Sequence, residues 1–71
     1  METYKQILNT LTQTITSVQR LSDTAFIPFD PGNTDYQAFK AQILAGEAEL
    51  EDADGNLMTE AEATAYIETL P

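Results

Sequence analysis

The 71-residue sequence has no cysteine, no histidine and no tryptophan. Without cysteine there are no disulfide staples and no thiolate ligands; without histidine the commonest nitrogen ligand and the usual general base are gone. Zinc, haem and iron–sulfur sites are therefore not expected, and Ser17 and Ser22 have no base of the usual kind to activate them. Positive charge is scarce too. Lys5, Arg20 and Lys40 face twelve acids, for a net charge of −9. Three scattered cations cannot release the counterions that drive nucleic-acid binding. No apolar run approaches the ~18 residues of a membrane span. Met1-Glu2-Thr3-Tyr4-Lys5 is not the charged-then-apolar start of a signal peptide, so a cytosolic origin is expected. Nucleic acid, membrane and cofactor all drop out as expected partners.

A chain this short buries only about 60% of the surface it exposes when unfolded. One core of that size rarely supplies more than ~3–5 kcal/mol. With no disulfide or metal to help, association with another protein surface is the remaining support. A single domain over residues 1–71 is expected, and nothing in the chain repeats.

Residues 3–21 carry two conflicting patterns. Tyr4, Leu8, Leu11, Ile15 and Val18 have the spacing of a helical seam. Thr10, Thr12, Thr14, Thr16 and Ser17 make the same stretch hydroxyl-rich and β-branched, which favours strands. The preferred reading is a hairpin with strands over 3–8 and 14–20 joined by 9–13; an all-α fold with an N-terminal amphipathic helix is the alternative. Leu21-Ser22-Asp23-Thr24 reads as a turn. Ala25-Phe26-Ile27 extends because Pro28 pushes the residue before it into extended space, so 3–28 forms the hairpin plus an extended segment. A proline at its end confines that segment to a sheet edge or a covering strap.

Asn33 or Asp30 caps a helix over 33–46 whose apolar face is Tyr36, Phe39, Ile43 and Leu44, with Gly46 as its stop. Residues 47–58 read as an acidic loop holding Glu47, Glu49, Glu51, Asp52 and Asp54. Its plain reading is a solvated segment, and its sharper one a patch facing a basic partner. Thr59-Glu60-Ala61-Glu62 is a capping box opening a second helix over 59–70, with Ala63, Tyr66, Ile67 and Leu70 on one side. The fold class expected is α+β: a hairpin, a proline-bounded extended segment and two short helices.

Chemical constellations are few. Asp52-Ala53-Asp54-Gly55-Asn56 resembles the first half of an EF-hand loop, but position 6 is Leu57 where glycine is needed and position 12 is Ala63 where a bidentate glutamate is needed. An acidic turn followed by a capping box accounts for the same residues. A catalytic carboxylate pair needs a pocket that separates two pKa values, and a chain of this size is a poor candidate to enclose one; no enzyme activity is expected. The aromatics Phe26, Phe29, Tyr36 and Phe39 read first as core. Their functional reading makes Ile27, Phe29, Tyr36 and Phe39 contacts for a partner, with Phe29 the best placed because it stands at the corner between Pro28 and Pro31.

The ordered set Ile27-Pro28, Asp30-Pro31, Asn33, Asp35-Tyr36-Gln37 and Phe39 resembles a run found in small accessory proteins of tailed bacteriophages, often encoded among tail and fibre genes. The resemblance covers residues 14–46. In that family the N-terminal region reads as a hairpin with a Thr-Gly turn, and Gln13 stands where the glycine would be. The family pattern also carries a tryptophan where this chain has Ala41-Gln42, and Gly-Asn where it has Gly46-Glu47. The resemblance implies a non-enzymatic virion protein that docks onto a larger tail, baseplate or capsid protein, in multiple copies of a symmetric assembly put together in the host cytoplasm. A soluble tail-assembly chaperone is close to that reading. An acidic inhibitor that mimics nucleic-acid charge and blocks a host enzyme is the alternative from another class, and a small calcium-binding module is a third.

Overall fold

In the computed structural model, which describes residues 2–70, six elements follow one another, three strands and then helix, strand and helix. Met1 and Pro71, the ends of the expected 1–71 domain, lie outside the described residues. Strand β1 (Glu2–Asn9) turns back into β2 (Thr14–Arg20), which turns into the short β3 (Ala25–Pro28). Helix α1 (Thr34–Leu44) follows, then β4 (Ala48–Glu51) and helix α2 (Glu60–Glu68). The sheet runs β3-β2-β1-β4, antiparallel throughout except for the parallel β1–β4 pair. The α+β class expected from sequence is the class observed, and the all-α alternative is corrected. Composition outweighed the seam because its central member, Leu11, is a loop-tip residue 94% exposed.

The β1–β2 loop works without glycine. Gln13 itself takes the left-handed backbone, with φ +58. Four hydrogen bonds hold the loop: Gln13 N–H to the Asn9 carbonyl (2.7 Å), Leu11 N–H to Asn9 Oδ1 (3.0 Å), Gln13 Nε2 to the Thr10 carbonyl (2.9 Å) and one between the Thr12 and Thr14 hydroxyls (2.6 Å). The next turn contains a second strained residue, Thr24 at φ +59. Here Arg20 clamps Asp23 through two nitrogens, at 3.1 and 2.8 Å, and reaches Asp35 in the first turn of α1. The clamp pulls the Asp23 carboxyl below its ordinary range.

Helix α1 begins where expected, with Asn33 Oδ1 accepting the Tyr36 N–H at 3.1 Å. Asp30 serves the preceding corner instead, accepting the Gly32 N–H. The helix ends in a Schellman motif: Gly46, at φ +74, donates to the Ile43 carbonyl and Glu47 donates to Gln42. Helix α2 opens on the full capping box, with Glu62 N–H donating to Thr59 Oγ1 (3.1 Å) and Thr59 N–H donating to Glu62 Oε1 (3.0 Å).

Both helices pack on one face of the sheet. Tyr4, Val18, Ile27 and Leu50 from the sheet meet Tyr36, Phe39 and Ile43 from α1 and Ala63 and Ile67 from α2. Tyr4 stands edge-on to Phe39 with centroids 4.9 Å apart, a geometry that aromatic quadrupoles favour. The Tyr4 hydroxyl is satisfied by Gln42 Oε1 at 2.7 Å. Leu44, expected on the buried face of α1, is instead 53% exposed at the helix's last turn.

The acidic loop expected over 47–58 is corrected. Residues 48–51 form β4, paired in parallel with β1 from Glu2↔Ala48 to Lys5↔Glu51. The period-two alternation Ala48-Glu49-Leu50-Glu51 explains it: Leu50 is fully buried beside Tyr4, and the glutamates take the other face. The turn from Asp52 to Asn56 remains irregular, and beyond it the chain folds back: Leu57 bridges Glu51 and Met58 N–H donates to the Leu50 carbonyl at 2.8 Å.

Candidate docking surface

The residues singled out as partner contacts divide sharply. Ile27, Tyr36 and Phe39 are 0–1% exposed and form the centre of the core, so the folded domain has no surface of theirs to offer a partner. Phe29 is half-buried, with its ring 5.4 Å from Tyr36 and 6.3 Å, nearly parallel, from Phe39. The Phe29 N–H donates to the Thr16 carbonyl, which fixes the corner to β2. Phe29 closes the core more than it projects from it.

Phe26, read from sequence as core with the others, is corrected: it is 66% exposed. Strand alternation dictates this. With Ile27 turned to the core opposite Val18, Phe26 must point the other way.

Among the described residues that other face of the sheet carries no helix. Its side chains follow from register. One row across the strands reads Glu51, Lys5, Gln19, Phe26; the next reads Ile7, Ser17, Pro28. Glu49 lies beside Thr3, and Leu21 joins that end through its N–H bond to the Thr3 carbonyl. The open face is thus acidic along β4 and apolar along β3. Sequence reasoning missed Phe26 as a surface feature and put Glu49 and Glu51 on a solvated loop rather than on a strand, although the alternation that places all three was present in the sequence.

The β3 edge beyond Phe26 is blunted. Bonding of Phe29 to Thr16 fixes the alternation, so the backbone groups of Ala25 and Ile27 face β2 and those of Phe26 and Pro28 face outward. Pro28 has no N–H to donate, and its carbonyl already accepts the Asp30 N–H at 2.9 Å. One residue's worth of free edge is a weak template for strand addition.

A groove of about 340 Å³ lies between α1, β4 and the start of α2, lined chiefly by Ile43, Leu50, Leu57, Met58 and Ala63. The EF-hand-like turn is engaged with its own backbone: Asp52 Oδ1 accepts the N–H groups of Asp54 and Asn56, both at 2.9 Å. These bonds, Asn56 foremost, lower the Asp52 pKa. Among the described residues no group of three or more acidic, histidine or cysteine side chains is arranged to hold a metal ion. The carboxylates whose pKa departs from ordinary values, Asp23, Asp52 and Glu62, all move down, the direction opposite to that of a general acid held protonated. Among the described residues no helix is long and apolar enough to cross a membrane.

No protein-family model matches the sequence, and neither a curated protein nor a solved structure matches it.

Proposed function

We propose that the chain is a non-enzymatic structural or accessory protein of a tailed bacteriophage, docking onto a larger tail, baseplate or capsid protein in multiple symmetric copies. It would be assembled in the host cytoplasm and reside in the virion; a role as tail-assembly chaperone belongs to the same class. The ordered run from Ile27 to Phe39, by its resemblance to phage accessory proteins, supports the setting. The observation that carries docking is the uncovered sheet face, where Phe26, the one aromatic among the exposed large apolar side chains of the described residues, stands 66% exposed. Mass spectrometry of purified particles tests the reading, with copy number measured against the major capsid protein. A fixed ratio supports a virion component. Expression during infection with absence from particles refutes it and leaves the chaperone.

One observation favours a second reading, the acidic inhibitor of a host enzyme. Glu49 and Glu51 sit on an ordered strand, about 6.6 Å apart along it, rather than on a loop. Binding to a host nuclease or DNA-binding protein that weakens steeply with salt would select this reading over docking in the virion.

A further inference from the structure

We propose that the open face of the sheet binds a protein surface that presents an apolar patch with a lysine or arginine about 14 Å away, the distance spanned by three strand spacings between β3 and β4. This deepens the docking reading by naming the surface and the chemistry of its partner. Phe26 is the anchor, with Pro28 two residues along the same strand and Ile7 two strands away on the same face, and Glu49 and Glu51 are the ionic partners. An exposed aromatic on a face that also carries apolar side chains is the composition of an interface centre, with charged residues at its rim.

Charge selects the occupant. Arg20 is held by Asp23 and Asp35, and Lys40 lies 4.7 Å from the centre of the Tyr36 ring. Among the described residues Lys5 is therefore the one base on the open face, against Glu49 and Glu51. A second copy would bring two chains of net charge −9 together with one lysine on each face, an arrangement that like-charge repulsion opposes. A basic partner meets no such penalty. The blunted β3 edge favours docking onto the face over extension of the sheet.

The probe is an amphipathic leucine–lysine peptide, with its leucine–glutamate counterpart as control, titrated into the ¹⁵N-labelled chain at low and high salt. The expected result is shifts at the amides of Lys5, Gln19, Phe26, Glu49 and Glu51 with the lysine peptide alone. Phe26→Ala should weaken binding about tenfold or more, and Glu49→Gln combined with Glu51→Gln should flatten its salt dependence. Leu44→Ala removes a similarly exposed side chain from α1 and should change nothing; the variants' own spectra report whether each remains folded. The proposal is overturned by shifts confined to the groove around Met58, by unchanged binding in Phe26→Ala, or by open-face amides that move with the chain's own concentration. Failure of this titration with the chain present in particles removes only the proposed face, whereas absence from particles removes the virion reading and leaves the titration result standing.

Discussion

Replacing Gln13 by glycine should stabilise this domain relative to replacing it by alanine, the reverse of the usual order. A residue with a Cβ at φ +58 is held in a conformation that costs roughly 1–2 kcal/mol, and glycine escapes that cost. Both variants lose the exposed Nε2 bond to the Thr10 carbonyl, so its ~0.5 kcal/mol cancels in the comparison. Glycine gives back ~0.4–1 kcal/mol through its greater freedom in the unfolded chain. Gln13→Gly should therefore exceed Gln13→Ala by about 0.5–1 kcal/mol. With a urea slope near ~1 kcal/mol/M for a chain this small, the unfolding midpoints should differ by roughly 0.5–1 M. The assay is urea unfolding followed by far-UV circular dichroism and by tyrosine fluorescence, which three tyrosines and no tryptophan make clean. At an ordinary backbone angle alanine would win by ~0.5–1 kcal/mol, so the sign alone decides. A Gln13→Ala midpoint equal to or above that of Gln13→Gly would refute the left-handed loop.

Phe39→Ala should cost ~3–5 kcal/mol, as much as the whole core of so small a domain supplies, and leave the chain unfolded by NMR; Phe26→Ala should stay within about 0.5 kcal/mol of wild type in the same urea assay. Gln42→Ala should cost about 1–2 kcal/mol by leaving the buried Tyr4 hydroxyl without its acceptor. Glu62, held below its ordinary pKa first by the Thr59 N–H, should add stability that is complete above its unfolded value and disappears as pH falls through its lower folded value. Wild type should thus outlast Glu62→Ala at pH 7, the gap closing below about pH 4.5, and a gap independent of pH would contradict the capping bond. Added salt should raise the melting temperature, since twelve acids against three bases repel one another in the folded state.

What the sequence made legible were the features with short-range causes. Asn33 capping α1, Gly46 closing it, and Thr59 with Glu62 opening α2 each depend on residues a few positions apart, and each could be read from its own neighbourhood. β4 has a short-range signal as well, the alternation from Ala48 to Glu51, but its identity as a strand requires β1 beside it from 46 residues earlier in the chain. Without that partner the same four residues look like part of a charged loop. The aromatics illustrate the same limit. Phe26 and Phe29 both lie near Pro28, and composition cannot tell which is covered. Pairing of Ile27 with Val18 decides it: the inward turn of Ile27 forces Phe26 out, and the corner beyond Pro28 tucks Phe29 against Tyr36 and Phe39.

The surface available to a partner is consequently a product of register rather than of residue type. The sequence makes Ile27, Tyr36 and Phe39 attractive contacts because they are large and apolar, and the fold consumes them for that same reason. A single-residue slip of β3 against β2 would bury Phe26 and expose Ile27. Pro28 opposes such a slip, since without an N–H it is tolerated only where its nitrogen points away from β2. The proline that blunts the sheet edge thus also holds Phe26 on the open face, in the same row as Lys5 and Glu51.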